Sequence, residues 1–271
     1  MKIPHISVSR KGTWEECQVK YKFRYHLDVM PPTEAVYFTF GKVVHRAIEL
    51  YTKERGKRLI TDIALDILAG TIPLEDRKPA AKPEGDAPQE EPKEEPIKPV
   101  DLPTEYRNKL NAHLRNFLRL TEKIGLEGDV EWPFRIDLDP PNERYLVGFI
   151  DRIIRKGNDF TVLDWKTSKV SRWRKDERTI TKDLQMQTYC WLITKYFDVP
   201  AKNVQAALYY LEDGKLVPVR YSEQTLAEVP KQLAAVHKEI QCMPPEKAYG
   251  NVGYHCERCD YRKICPFWSL T

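Results

Sequence analysis

Residues Tyr145–Lys169 read YLVGFIDRIIRKGNDFTVLDWKTSK. Two apolar runs flank the short turn KGND, so this stretch predicts a hairpin of strands at about Tyr145–Arg155 and Asp159–Lys166. Side chains alternate across a pleat. Leu163 and Trp165 should therefore face one side, and Asp164 and Lys166 the other. The first strand delivers Asp151 after its apolar run, and the hairpin can bring Asp151 close to Asp164. Two buried carboxylates repel unless a cation lies between them. A hard divalent metal with oxygen ligands is the natural cation, with Lys166 placed to orient or polarise a water. Such a site suits phosphodiester hydrolysis, because the metal lowers the pKa of water and offsets charge developing on phosphate. A D-x-K spacing alone leaves open a plain Asp–Lys ion pair at a strand end.

Outward from the hairpin, the pattern alternates helix and strand. Helices are expected at Trp14–Tyr25, Tyr37–Arg55, Asp62–Ala69, Glu105–Lys123, Asp183–Phe197 and Glu223–Ile240. Further strands are expected at Val130–Ile136, Val204–Leu211 and Leu216–Tyr221, the last two around the turn EDGK. No internal repeat is evident. Pro73–Pro103 is rich in Pro, Glu and Lys and has little to bury, which predicts a disordered insertion. The expected fold is α/β: one domain over 1–271 with a mixed five-stranded sheet flanked by helices.

The neighbours of the hairpin sharpen the reading. Gly41, His45 and Glu49 share one face of their helix, as do Gln185 and Tyr189 of theirs. Gly41-Lys-Val-Val-His45, Gly148-Phe-Ile-Asp151-Arg-Ile, Asp164-Trp-Lys166-Thr167 and Gln185-Met-Gln-Thr-Tyr189 stand in this order. Together they resemble the PD-(D/E)XK nuclease superfamily in its RecB-like branch, over essentially the whole chain. The resemblance implies a restriction-endonuclease-like core. It implies Mg²⁺ or Mn²⁺ bound by His45, Asp151, Asp164 and the Trp165 carbonyl. Lys166 would serve the attacking water, Gln185 would brace Lys166 and the ligands, and Tyr189 would contact the phosphate side. Glu131, on the first strand, is an outer acidic contributor in this reading.

Six cysteines in a chain without a signal-peptide pattern are expected to be reduced. Cys256, Cys259 and Cys265 form C-x-x-C-x-x-x-x-x-C, one thiolate short of a four-ligand site. Cys17 can complete it if the chain ends meet. The spacing suits zinc, with Cys17 or His255 as fourth ligand, or an iron–sulfur cluster. One cysteine before the core and three after it resembles the iron–sulfur subgroup of the same superfamily, which includes AddB and CRISPR-adaptation nucleases. That resemblance implies a 4Fe–4S cluster joining segments 1–30 and 242–271. The subgroup usually has Pro after the first cysteine, whereas this chain has Gln18. Cys190 and Cys242 are expected to be structural, with Trp14, Tyr21 and Tyr25 packed around the cluster.

Net charge is only +4 over 271 residues, so a nucleic acid would have to be met locally. Two segments interleave cations and aromatics: Lys20–His26, and the loop after the D-x-K strand. In the loop, Arg172, Arg174, Lys175 and Arg178 are expected to meet phosphates and Trp173 to stack on a base. No apolar run predicts a membrane span, which points to an intracellular protein. No G-x-x-x-x-G-K-[ST] appears, so a helicase or recombination partner would be a separate chain. The expected function is a Mg/Mn-dependent deoxyribonuclease for single-stranded DNA or duplex ends, in recombination or repair. The alternatives are a catalytically weak end-binding subunit of a repair or CRISPR-adaptation complex, and a zinc-stabilised RNA-binding module.

Overall fold

The computed structural model describes residues 5–32, 36–74, 98–139, 144–168 and 174–268. Within the one domain expected from the sequence, the chain forms two compact units, each built from separated stretches. Unit 1 comprises residues 1–36, 134–148 and 227–271, and unit 2 comprises 37–133 and 149–226.

Unit 2 holds helices α3 (Val36–Lys53), α4 (Ile60–Ala69), α5 (Thr104–Ile124) and α6 (Leu184–Phe197). Its strands are the second half of β3 (Arg144–Lys156), then β4 (Asp159–Lys166), β5 (Val204–Tyr210) and β6 (Lys215–Val219). The β3–β4 hairpin is antiparallel, β4 and β5 are parallel, and β5–β6 is antiparallel, so the sheet is mixed. Two parallel neighbours need a long crossover, and α6 supplies it. The alternation expected along β4 holds. Leu163 and Trp165 join the core made with Val44 and Ile48 of α3, Ile63 of α4 and Phe117 of α5. Trp165 meets Phe117 edge to face at 5.6 Å, an arrangement worth about 0.5–1.5 kcal/mol beyond area burial. On the opposite face, Phe160 packs on Phe197 of α6 at 4.6 Å.

Unit 1 holds α1 (Val8–Glu16), α2 (Gln18–Tyr21), a π turn (Lys22–His26), α8 (Val229–Cys242) and three C-terminal 3₁₀ turns. Ser7 starts α1 by accepting the Arg10 N–H at 3.1 Å. The helix expected over Trp14–Tyr25 breaks at Cys17, which is extended at φ −165° and ψ 117°. The helix expected over Glu223–Ile240 is likewise two, α7 (Glu223–Ala227) and α8. Pro230 in the first turn of α8 explains the break, because proline is tolerated only there.

The sheet has six strands rather than the expected five, in the order β1-β3-β4-β5-β6 with β2 (Asp129–Asp139) also on β3. The extra strand, β1, is His5–Ile6, parallel to Tyr145–Leu146. Two residues are too few to show a period. Close packing accounts for Gly148: a Cβ there would lie 2.5 Å from the Phe134 ring. The insertion expected over 73–103 has packed ends. Leu74 and Val100 lie against the core, Leu102 is 1% exposed, and the Val100 N–H bonds the Leu68 carbonyl at 2.8 Å. Residues 75–97 of that expectation lie outside the described residues.

Candidate active site and cysteine recess

The β3–β4 register pairs Arg152 with Leu163, so Asp151 and Asp164 stand one step further along, opposite one another. Asp151 Oδ2 accepts the backbone N–H of Trp165 at 2.8 Å. That carboxylate oxygen is also 3.7 Å from His45 Nδ1, which in turn lies 4.0 Å from Glu131 Oε1. One ligand atom from each of His45, Glu131 and Asp151 lies within 4.8 Å of the others, a spacing that suits a metal ion.

Asp164 sits beside this trio and is paired. Its Oδ2 is 2.7 Å from Lys166 Nζ. Lys166 also donates to Gln185 Oε1 at 2.9 Å, Gln185 Nε2 donates to the Tyr189 hydroxyl at 2.9 Å, and Tyr189 donates to the Phe149 carbonyl at 2.9 Å. Asp183 caps α6 by accepting the Met186 N–H at 3.0 Å, which sets the turn that carries Gln185. Burial pushes the Asp164 pKa up to about 6 even though Lys166 opposes it, with the Asp151 charge adding to the rise. Burial pulls the Lys166 ammonium down, but Asp164 and Asp151 outweigh it and its pKa ends above the usual lysine value. Burial, then Asp164 and Asp151, lift the Tyr189 phenol well above its ordinary value.

The structure brings His45, Asp151, Asp164, Lys166, Gln185 and Tyr189 together at one place. Glu131 belongs in the trio rather than outside it. The backbone N–H of Trp165 is bonded to Asp151. Tyr189 is buried, its hydroxyl accepting from Gln185 Nε2 and donating to the Phe149 carbonyl.

The role of Glu131 is hidden in the sequence because its placement is conformational. Its φ is +48°, a left-handed value inside β2, which a non-glycine residue holds at a strain of order 1–3 kcal/mol. The surroundings enforce it. Fully buried Arg152 donates to the carbonyls of Gly125 and Glu127 at 2.9 and 2.8 Å. Burial holds its guanidinium pKa down to about 10. At Gly128, φ is +115° and a Cβ would lie 2.2 Å from the Ile153 carbonyl oxygen. The loop entering β2 is therefore clamped onto β3. His113, which no sequence motif singles out, is fully buried, bonds the Lys109 carbonyl at 2.8 Å and lies 3.4 Å from the Thr167 carbonyl.

In the loop after β4, Arg172 and Trp173 lie outside the described residues. The Arg174 guanidinium is occupied within the protein, 2.8 Å from Asp213 and 4.2 Å from the centre of the Tyr210 ring. Lys175 and Arg178 are exposed.

Comparison with protein families agrees with this geometry: the PD-(D/E)XK nuclease superfamily matches residues 5–266. The chain belongs to the PD-(D/E)XK nuclease superfamily. The superfamily reading is a metal-dependent phosphodiester hydrolase. No curated protein matches. Among solved structures, the protein of the "Crystal structure of SSO0001" is similar at 17% identity over 92% of this chain and 94% of its own, with a TM-score of 0.37. A likeness of that grade carries no argument.

In unit 1, Cys17, Cys256, Cys259 and Cys265 line one recess of about 420 Å³ that includes solvent at its mouth. Its walls include Phe23, Tyr261, Phe267 and Trp268. Trp14 and Tyr21, expected around the cysteines, are instead buried against each other at 5.2 Å, with Trp14 donating to Glu239 at 3.2 Å. Burial raises the Cys259 thiol pKa, with nearby Cys17 adding to the rise against the Tyr261 N–H and Lys20. Cys190 is buried, and Cys242 is exposed.

Proposed function

We propose that this protein is a Mg²⁺- or Mn²⁺-dependent deoxyribonuclease that hydrolyses single-stranded DNA or the frayed ends of duplexes, in recombination or repair. The observation that carries the reading is the convergence of His45, Glu131 and Asp151 next to the Asp164–Lys166–Gln185 chain. Two carboxylates and an imidazole form a donor set suited to a hard divalent ion. Held there, the ion would supply Lewis acidity towards water and a phosphate oxygen. The protein's own groups do the rest. Asp151 is fixed by the Trp165 N–H, so the ligand atom is aimed before metal arrives. Lys166 is tethered by Asp164 and Gln185 and in this reading serves the attacking water. Exposed Lys175 and Arg178 would neutralise flanking phosphates in this reading.

Unit 1 carries a 4Fe–4S cluster ligated by Cys17, Cys256, Cys259 and Cys265 in this reading. Four thiols around one recess support it. The aromatic walls shield such a group from water.

The test is digestion of end-labelled linear and circular DNA with Mg²⁺, Mn²⁺ or chelator. Metal-dependent loss of linear single strands is expected. Binding to ends with no cleavage under any metal would replace the nuclease reading with an end-binding subunit.

A further inference from the structure

The first turn of α3 carries two aromatic rings that the core does not take. Phe40, Val43 and Val44 are buried, whereas Tyr37 and Phe38 remain 42% and 38% exposed. The two rings lie 4.4 Å apart between centroids and 38° from parallel. Adjacent exposed rings form apolar surface of the kind that marks a binding site.

Their position on the helix is informative. Phe38 and His45 are seven residues apart, almost two full turns, so they share a face about 10 Å apart along the axis. Lys42 lies between them on that face and is exposed. A Cβ at Gly41 would lie 3.4 Å from Thr167 Oγ1. The same helical face therefore runs past the chain leaving β4, directly after Asp164 and Lys166. At a stacking rise of about 3.4 Å per nucleotide, 10 Å is on the order of three steps along a strand.

We propose that Tyr37 and Phe38 form a stacking platform for one unpaired nucleobase of the strand whose phosphate lies at His45, Glu131 and Asp151. Lys42 adds positive charge along the intervening backbone. A base offers a π face whatever its identity, so the platform accepts any sequence. A base inside an intact duplex is already stacked and cannot reach it. The platform thus selects single strands and frayed ends, and it rests on the nuclease reading above.

The test uses the full-length protein with Asp164→Asn to block cleavage. The probes are a single-stranded oligothymidylate, the same oligonucleotide with one abasic nucleotide moved along it, and a blunt duplex. The parent should lose about 5- to 100-fold in affinity when the abasic nucleotide reaches one register, the ~1–3 kcal/mol of one stacked base. Tyr37→Ala with Phe38→Ala should bind the intact oligonucleotide that much more weakly and ignore the abasic position, with an unchanged salt slope. Tyr37→Phe with Phe38→Trp should restore both affinity and position dependence, which excludes misfolding as the cause. If the alanine variant matches the parent across the abasic scan while the protein without Asp164→Asn still cuts with metal, the platform is wrong and the nuclease reading stands. If the parent neither binds nor cuts single strands, both fall together.

Discussion

In unit 2, Asp151, Asp164, Lys166, Gln185 and Tyr189 are joined to one another or to backbone groups at 2.7–2.9 Å. In unit 1 the four cysteines line a recess, and Cys256 Sγ accepts from the Gly253 N–H at 3.5 Å. The first site is shaped by its own hydrogen bonds. In the proposed reading the second is held by its cluster. Pre-organised polar groups serve the transition state without contributing much to the fold, whereas a multidentate group held between distant segments contributes its binding energy to folding. Removing residues from the two sites should therefore separate activity from stability in opposite directions.

The largest effect is expected at Lys166. Lys166→Ala should lower single-turnover cleavage by at least about 10²–10³-fold and shift the melting temperature by no more than a few degrees. Near-parent rates at saturating metal would falsify the assignment. Cys259→Ser should do the reverse. Anaerobically purified protein is expected to be brown and to contain iron and sulfide. The serine variant should bleach and lose on the order of 3 kcal/mol, roughly 10 °C in melting temperature for a chain of this size. Colourless parent protein with stoichiometric zinc would remove the contrast between the sites.

A third measurement sharpens the polar side. In metal-free protein, the Asp164 pKa is raised to about 6 from 3.8. The folded state thus holds this proton more tightly than the unfolded state. Native stability contributed by the neutral carboxyl is present below about pH 4 and is lost as pH rises through about 6. Asp164→Asn should gain stability relative to the parent across that window, by at most on the order of 2–3 kcal/mol. Chelator-treated melts from pH 4 to 8 measure it. Parallel curves for the two proteins would mean that Asp164 is not desolvated as described.

The smallest effect is expected at the backbone of Glu131. Glu131→Gly relieves a left-handed φ, so stability should stay within about 1 kcal/mol of the parent, because released strain and glycine entropy offset each other. Mn²⁺ affinity should nevertheless fall by roughly tenfold or more. Glu131→Gln should lose the metal without relieving strain. Calorimetric titration with Mn²⁺, beside denaturant melts, separates the two. Unchanged Mn²⁺ binding in both variants would return Glu131 to an outer role.

Much of unit 2 is legible in the amino-acid sequence. The alternation along Phe160–Lys166 and the four-residue spacing of Gln185 and Tyr189 are local periodicities, and local periodicity survives folding unchanged. The cysteine spacing likewise picks out the residues that line one recess. Less legible are features created by contact between distant segments. Leu102 reads as the tail of a polar insertion, yet a single leucine after a proline-rich run is enough to anchor it in the core. Arg174 reads as one more cation of a basic loop, yet Asp213 and Tyr210 across the β5–β6 turn engage it.

By itself the sequence determined which side of β4 carries chemistry, which helices face the core and which residue types could hold a metal, because periods of 2 and about 3.6 follow from backbone geometry alone. Only the tertiary structure decided that Glu131 joins His45 and Asp151, that the Tyr189 hydroxyl bonds Gln185 and the Phe149 carbonyl, and that Trp14 packs on Tyr21 and bonds Glu239. Those outcomes depend on a left-handed turn held by buried Arg152 and on hydrogen bonds between residues tens of positions apart. Such contacts form only once packing has offset the entropy of bringing the segments together.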